Sequence, residues 1–344
     1  MKNYIDSVIN KYANCLDALR KLDQEESNQI LFVLDEKEKM IGTLTDGDIR
    51  RGLLNGLNLD SPVHLFCYRD FSFINGKISV STIRRLKKEG KFVFPKLNEL
   101  GQIEKVYDLS KLKSILPVHA VIMAGGRGER LRPLTDNIPK PMLQLGGKPI
   151  IEHNIDRLIS FGIETITISV NYLSEQIINY FGNGATKGIR IDYIKEDTPM
   201  GTIGCLGQIE KIDKDLLILN SDIFTNIDFE NFFLDFENAN ADMAVASIPY
   251  SIDIPYAILE LNDNRITNFK EKPKNTYFAN AGIYLIKREE IALIPAKSFY
   301  NATDLMNSII TNKGKLIHSP ITGFWIDIGE HDDYNKAKEI VKHL

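Results

Sequence analysis

Val118-His-Ala-Val-Ile-Met-Ala-Gly-Gly-Arg-Gly-Glu-Arg-Leu-Arg-Pro-Leu-Thr135 decides how this chain folds. Val118 to Met123 is an apolar run that predicts a buried strand. The glycines that follow let backbone N–H groups approach a phosphate closely. Arg127, Arg130 and Arg132 make the loop cationic, and Pro139-Lys140-Pro141 adds a lysine just beyond it. The glycines do not fit a dinucleotide fingerprint, because Leu131 stands where the third glycine belongs. They do not fit a Walker loop either, because no Gly-Lys-Ser/Thr ends the segment.

Downstream of this stretch the pattern alternates between strand and helix, the mark of a mainly parallel sheet. Strands are predicted at Thr165 to Val170, Ile189 to Ile194, Leu216 to Asn220 and Asp242 to Ser247. Pro149 to Phe161 carries apolar residues at helical spacing, framed by proline at its start and Gly162 after its end. Asn262-Asp-Asn264 between two short runs signals a hairpin. Phe224 to Ala239 is expected to be partly helical. The carboxyl ends of strands in such sheets are where ligands sit.

Upstream lies a weak internal repeat. Ile30 to Asp35 with Lys39 to Leu44, and Lys91 to Leu97 with Gly101 to Val106, each predict two strands around a polar turn. Helix-like stretches at Cys15 to Leu22 and Val80 to Lys88 precede the two pairs. Thr45-Asp-Gly-Asp48 opens a further helix, with acids suited to its first turn. Lys111 to Pro117 reads as a linker, giving a first domain over 1–115 and a second over 118–344.

A net charge of −4 over 344 residues disfavours nucleic acid as a partner. Cys15, Cys67 and Cys205 are scattered without metal or redox spacing, and the six histidines do not cluster. Neither a signal peptide nor an 18-residue apolar run is evident, so a cytoplasmic protein is expected.

The glycine loop with Pro139-Lys-Pro141 resembles the signature of sugar-1-phosphate nucleotidyltransferases. Four further segments resemble that family in the same order: Glu196-Asp-Thr-Pro-Met-Gly201, Asn220-Ser-Asp222, Glu271-Lys-Pro273 and Trp325-Ile-Asp327. The resemblance implies a Rossmann-like, mixed but mainly parallel α/β sheet. It implies transfer of a nucleotidyl group from an NTP to a sugar 1-phosphate, releasing pyrophosphate. It places Ala124, Gly125, Gly126, Gly128, Arg130, Lys140 and Asn171 on the triphosphate side. Glu196, Gly201, Glu271, Lys272 and Asn280 fall on the sugar-phosphate side. Asp222 and Asp327 would hold Mg²⁺, since that ion takes one or two carboxylates plus substrate oxygens. Arg130, Lys140, Asp222, Lys272 and Asp327 are the expected catalytic set. A nucleophilic side chain is not required, because the attacking sugar phosphate is already ionised.

The N-terminal repeat resembles a small α+β tandem pair of cystathionine-β-synthase (CBS) modules. That resemblance implies a regulatory nucleotide at Thr45 and Asp48 and association into a homo-oligomer. In the second repeat Tyr107 and Ser110 occupy the corresponding positions. The combined architecture resembles guanylyltransferases of bacterial surface-sugar pathways, which implies GTP and glucosamine 1-phosphate in legionaminic acid synthesis. Mannose 1-phosphate with GTP is the next expectation, then a UTP, CTP or dTTP enzyme. A nucleotide-sensing regulatory subunit without catalysis is the alternative of another class.

Overall fold

The two strand–turn–strand repeats fold alike in the computed structural model, which describes residues 4–24, 30–76, 78–209 and 213–343. The chain divides into two compact units, Met1–Ile115 and Leu116–Leu344. In the first unit β1 (Val8–Asn10) pairs parallel with β2 (Ile30–Leu34), which pairs antiparallel with β3 (Met40–Thr45). Helix α1 (Cys15–Gln24) precedes β2, and α2 (Asp46–Leu54) follows β3. The second half repeats the topology: β4 (Ile74–Asn75) is parallel to β5 (Val93–Leu97), which is antiparallel to β6 (Ile103–Asp108), with α3 (Val80–Lys88) ahead of β5. Each half buries its own apolar cluster, and Phe32, Met40, Leu97 and Ile103 form a third that joins them.

The second unit is built on a seven-stranded sheet. Val118–Ala124 forms β7, buried on both faces as its continuous apolar run requires. A two-residue hairpin, β8 (Gln144–Leu145) and β9 (Lys148–Pro149), leads into α4 (Ile150–Ser160). The chain then adds β10 (Thr165–Val170), α5 (Ser174–Phe181), β11 (Arg190–Lys195) and β12 (Asp215–Asn220). The sheet order is β11-β10-β7-β12-β17-β14-β18. Only β17 (Lys274–Ile286) runs against the rest; β14 (Met243–Asp253) and β18 (Leu316–Pro320) are parallel to each other. The strand order reverses around β7, with β10 on one side and β12 on the other, so the crevice beyond its carboxyl end is the expected ligand site. Helices α7 (Ala302–Thr311) and α8 (His331–Val341) complete the unit. Val121, Ile218, Met243, Ile286 and Leu305 sit within its largest apolar cluster.

The stretch from Phe224 to Ala239 is partly helical as expected, with a strand at its start. Ile223–Thr225 is that strand, β13, and it pairs antiparallel with β19 (Trp325–Asp327). The helix α6 (Phe229–Ala239) begins only after Asp228, whose carboxylate accepts from the backbone N–H groups of Glu230 and Asn231. The predicted hairpin around Asn262 to Asn264 exists as β15 (Ile258–Asn262) and β16 (Arg265–Lys270). It caps a long arm: β14 and β17 continue their ladder outward from Ser247↔Asn280 to Asp253↔Lys274.

Candidate active site

Three strand ends create the cleft. Gly125 and Gly126 follow β7, Glu196 follows β11, and Asn220-Ser221-Asp222 closes β12. The cleft has a volume of about 300 Å³, and Lys140, Gly201, Thr202 and Phe299 also line it. Thus Gly125, Gly126, Lys140, Glu196, Gly201 and Asp222, named from sequence, come together in one cavity.

The glycine loop is shaped by close packing. Gly128 has φ +65°, and a Cβ there would lie 2.9 Å from that of Lys140. Its carbonyl accepts from the Thr135 hydroxyl at 2.8 Å, which folds the loop back on itself. Gly126 has open space around its Cα, so a ligand can reach the backbone there. Gly201, at φ +74°, lies so near Tyr300 that a Cβ would come within 2.7 Å of the Tyr300 carbonyl oxygen. The segment after it is a 3-10 turn, Gly204–Gln208, rather than an α-helix start.

Lys140 is buried and its ammonium donates to Asp222 Oδ2 at 2.5 Å. It lies 4.0 Å from Asp327 Oδ1. The two acids meet because β13 and β19 pair: Ile223 is opposite Asp327, and Ile328 N–H donates to the Asp222 carbonyl at 3.0 Å. Burial, reinforced by the neighbouring Asp222 charge, raises the Asp327 carboxyl above its ordinary value. Among the described residues, Asp222 Oδ1 is buried with no hydrogen-bond partner. A buried carboxylate oxygen left over beside a second acid is what a hard divalent cation requires, so these residues fit Mg²⁺.

The other expected residues have different surroundings. Arg130 stands at the rim of a neighbouring cavity that it shares with Asp327, with its guanidinium 3.5 Å from Glu330. Asn171 donates to the Glu196 carbonyl at 2.5 Å, tying the end of β10 to that of β11. The Glu196 carboxylate is itself occupied, accepting from the Ser169 hydroxyl and from Met200 N–H at 3.1 Å. Asn280, at the root of the arm, donates to the Tyr284 hydroxyl at 2.9 Å and accepts from Gly282 N–H at 2.9 Å. Glu271 and Lys272 stand exposed on the arm, and neither they nor Asn280 lines the cleft. Ala124 is buried in β7 behind the loop. Thr45 and Asp48 form a capping box on α2, and Arg51 donates to Asp48.

Sequence reasoning did not assign Asn220, Thr202 or Phe299, which also line the cleft. A signal for Asn220 existed in its place at the end of an apolar strand, two residues before Asp222. Phe299 carried none, since it reaches the rim from a loop remote in sequence. Cys205 is buried near the cleft floor; burial pushes its thiol up to about 12, so it offers no nucleophile.

A glycine loop, a buried lysine and two acids meet at the switch point of a mainly parallel sheet, the place where such α/β proteins bind ligands. The chain belongs to the nucleotidyl transferase family, whose model matches residues 119–343. It is 32% identical over 231 residues to "Probable mannose-1-phosphate guanylyltransferase 2" of Arabidopsis thaliana, covering 62% of each chain. It is 34% identical over 229 residues to "Bifunctional protein GlmU" of Methanococcus maripaludis, covering 63% of this chain and 53% of that one. The chain thus spans between half and two thirds of the length of these relatives. A solved structure described as a putative glucose-1-phosphate thymidylyltransferase from Bacillus anthracis, in complex with a sucrose, shares the fold. Its TM-score is 0.54 at 24% identity, covering 66% of this chain and 96% of that one. Among the described residues no helix is long and apolar enough to cross a membrane.

Proposed function

We propose that the second unit transfers a nucleotidyl group from a nucleoside triphosphate to a sugar 1-phosphate. An oxygen of the sugar phosphate attacks the α-phosphorus; that P–O bond forms as the bond to the β-phosphate bridging oxygen breaks, and pyrophosphate leaves. The observation that carries this reading is Lys140 held between Asp222 and Asp327 beside the glycine loop. Gly125, Gly126 and Gly128 shape a backbone cradle for the triphosphate. Lys140 and Arg130 offset the charge that gathers as the two phosphates meet. Asp222 and Asp327 are the residues that would hold Mg²⁺. When bound, that ion supplies positive charge to the phosphate oxygens. Gly201 and Glu196 shape the opposite wall, with Asn171 fixing Glu196 in place. Glu271, Lys272 and Asn280 are assigned to the sugar phosphate by the order of their motifs.

GTP is the proposed donor, supported by the guanylyltransferase names among the relatives. Glucosamine 1-phosphate, on a route to legionaminic acid, remains the proposed acceptor, with mannose 1-phosphate beside it. The two halves of the first unit, with matching strand order, support a CBS-like pair that binds a regulatory nucleotide at Thr45 and Asp48. Pyrophosphate release with Mg²⁺, measured across four triphosphates and several sugar 1-phosphates, tests the class and the base together. GTP should give the fastest turnover. No turnover with any pair would sink the enzyme reading, whereas preference for UTP or dTTP would sink only the choice of base.

A further inference from the structure

Asn154 breaks the pattern of its helix. In α4 it lies four residues after Ile150, three after Ile151 and four before Leu158, all fully buried, so it belongs to the core-facing stripe. An apolar residue is the ordinary occupant of such a place, and Asn is a weak helix former in mid-helix. Yet Asn154 is only 3% exposed. A carboxamide taken out of water needs a partner that offsets its desolvation. Its Nδ2 donates to the Ser221 carbonyl at 3.3 Å. Among the described residues it is the one side chain that meets that carbonyl.

That carbonyl matters because of what shares its peptide. The Ser221 C=O and the Asp222 N–H belong to one planar unit, so fixing the oxygen fixes the direction in which the Asp222 Cα carries its side chain. The neighbouring units are tied as well: Ser221 N–H donates to the Met123 carbonyl at 3.0 Å, and the Asp222 carbonyl accepts from Ile328 N–H at 3.0 Å. Asp222 is thus held from β7, from α4 and from the residue after β19. Helix α4 also grips the chain beyond Asp222. The His153 ring meets Phe224 edge-on, 5.4 Å between centroids, and Arg157 Nε donates to the Ile227 carbonyl at 3.1 Å. The result at the carboxylate is directional. Oδ2 faces Lys140, while Oδ1 is the buried oxygen with no hydrogen-bond partner among the described residues.

We propose that Asn154 is a positioning residue: through the Ser221 carbonyl it turns Asp222 so that Oδ1 is presented to a cation. This rests on the proposed reading of Asp222 as a Mg²⁺ ligand. The test compares the full chain with Asn154→Leu, which keeps the branched shape and the buried stripe, suits the helix better and deletes the donor. Mn²⁺ titrated without nucleotide, and counted by electron paramagnetic resonance, should bind the variant about tenfold more weakly. The kcat should fall about 10- to 100-fold with both KM values little changed. In hydrogen exchange the segment 324–330, whose Ile328 N–H rests on the Asp222 carbonyl, should exchange faster while the amides of α4 keep their protection. Where the parent binds Mn²⁺, equal affinity in the variant would overturn the proposal, as would parent-like exchange of 324–330. Loss of protection across α4 would overturn it too, since the helix itself would then have loosened. A parent that binds no Mn²⁺ would instead sink the Mg²⁺ reading of Asp222; exchange of 324–330 then still decides for or against Asn154 as the residue that sets Asp222.

Discussion

Lys140 is the cation that already neutralises the acid pair, so removing its charge should have two opposite effects. Lys140→Met keeps the aliphatic stem that packs under Gly128 and deletes the ammonium. The ammonium lies 2.5 Å from Asp222 and 4.0 Å from Asp327, where it competes directly with a divalent ion. Two unit charges 4 Å apart are worth about 4 kcal/mol at an effective dielectric of about 20. The Asp222 and Asp327 side chains are 22% and 49% exposed, so water screens that figure to roughly 1–2 kcal/mol. At about 1.4 kcal/mol per tenfold, Mn²⁺ should bind the variant about 5- to 30-fold more tightly in the absence of nucleotide. Free Mn²⁺ counted by electron paramagnetic resonance during a titration measures this. Turnover should fall about 100- to 1,000-fold, because a fixed cation has been taken from the reacting phosphates. Unchanged or weaker Mn²⁺ binding would refute the competition; unchanged turnover would remove Lys140 from the reaction.

The remaining expectations are shorter. Asp222→Asn should abolish Mg²⁺-dependent pyrophosphate release while leaving circular dichroism unchanged; substantial residual rate would mean that another acid holds the ion. Asp327 is raised by burial, so its fold favours the protonated form. Its contribution to stability is present at pH below the unfolded carboxyl value and is lost as pH rises through the raised folded value. Asp327→Asn should therefore raise the melting temperature at pH 7 in EDTA while lowering activity, and a lower melting temperature would contradict the burial argument. Gly201→Ala forces a side chain into a left-handed backbone against Tyr300 and should cost about 1–3 kcal/mol, read as a clear fall in melting temperature. Lys272→Ala should raise KM for the sugar phosphate far more than for the triphosphate; equal effects would place it outside the sugar subsite.

Local chemistry made part of this molecule legible from its residues. The strands β7, β10 and β12 are buried along most of their length because both sheet faces are covered, and the apolar runs Ala120 to Ala124 and Leu216 to Leu219 advertise this. Thr45 and Asp48 could be read as a helix start from four residues. What could not be read is pairing at long range. Phe224 to Ala239 reads as partly helical, but where its strand ends and its helix begins depends on β19, which lies near the far end of the unit. Likewise Glu271-Lys-Pro273 is visible as a motif. Its exposure is not, because that depends on how far the β14–β17 ladder carries the arm beyond the sheet.

The short ladder between β13 and β19 imposes an order in time on the site. A growing chain makes the glycine loop, Lys140 and Asp222 first, and β12 can align them against β7. Asp327 arrives with one of the last strands of the unit, and Trp325 then anchors it through an indole hydrogen bond to the Ala281 carbonyl at 2.9 Å. Until that strand is laid down, the nascent protein has the glycine loop and Lys140 but only one of the two acids proposed to hold the cation. The cleft is therefore assembled as a lock whose final pin comes from the end of the unit, and a chain stopped before Trp325 would lack one of the two acids beside Lys140.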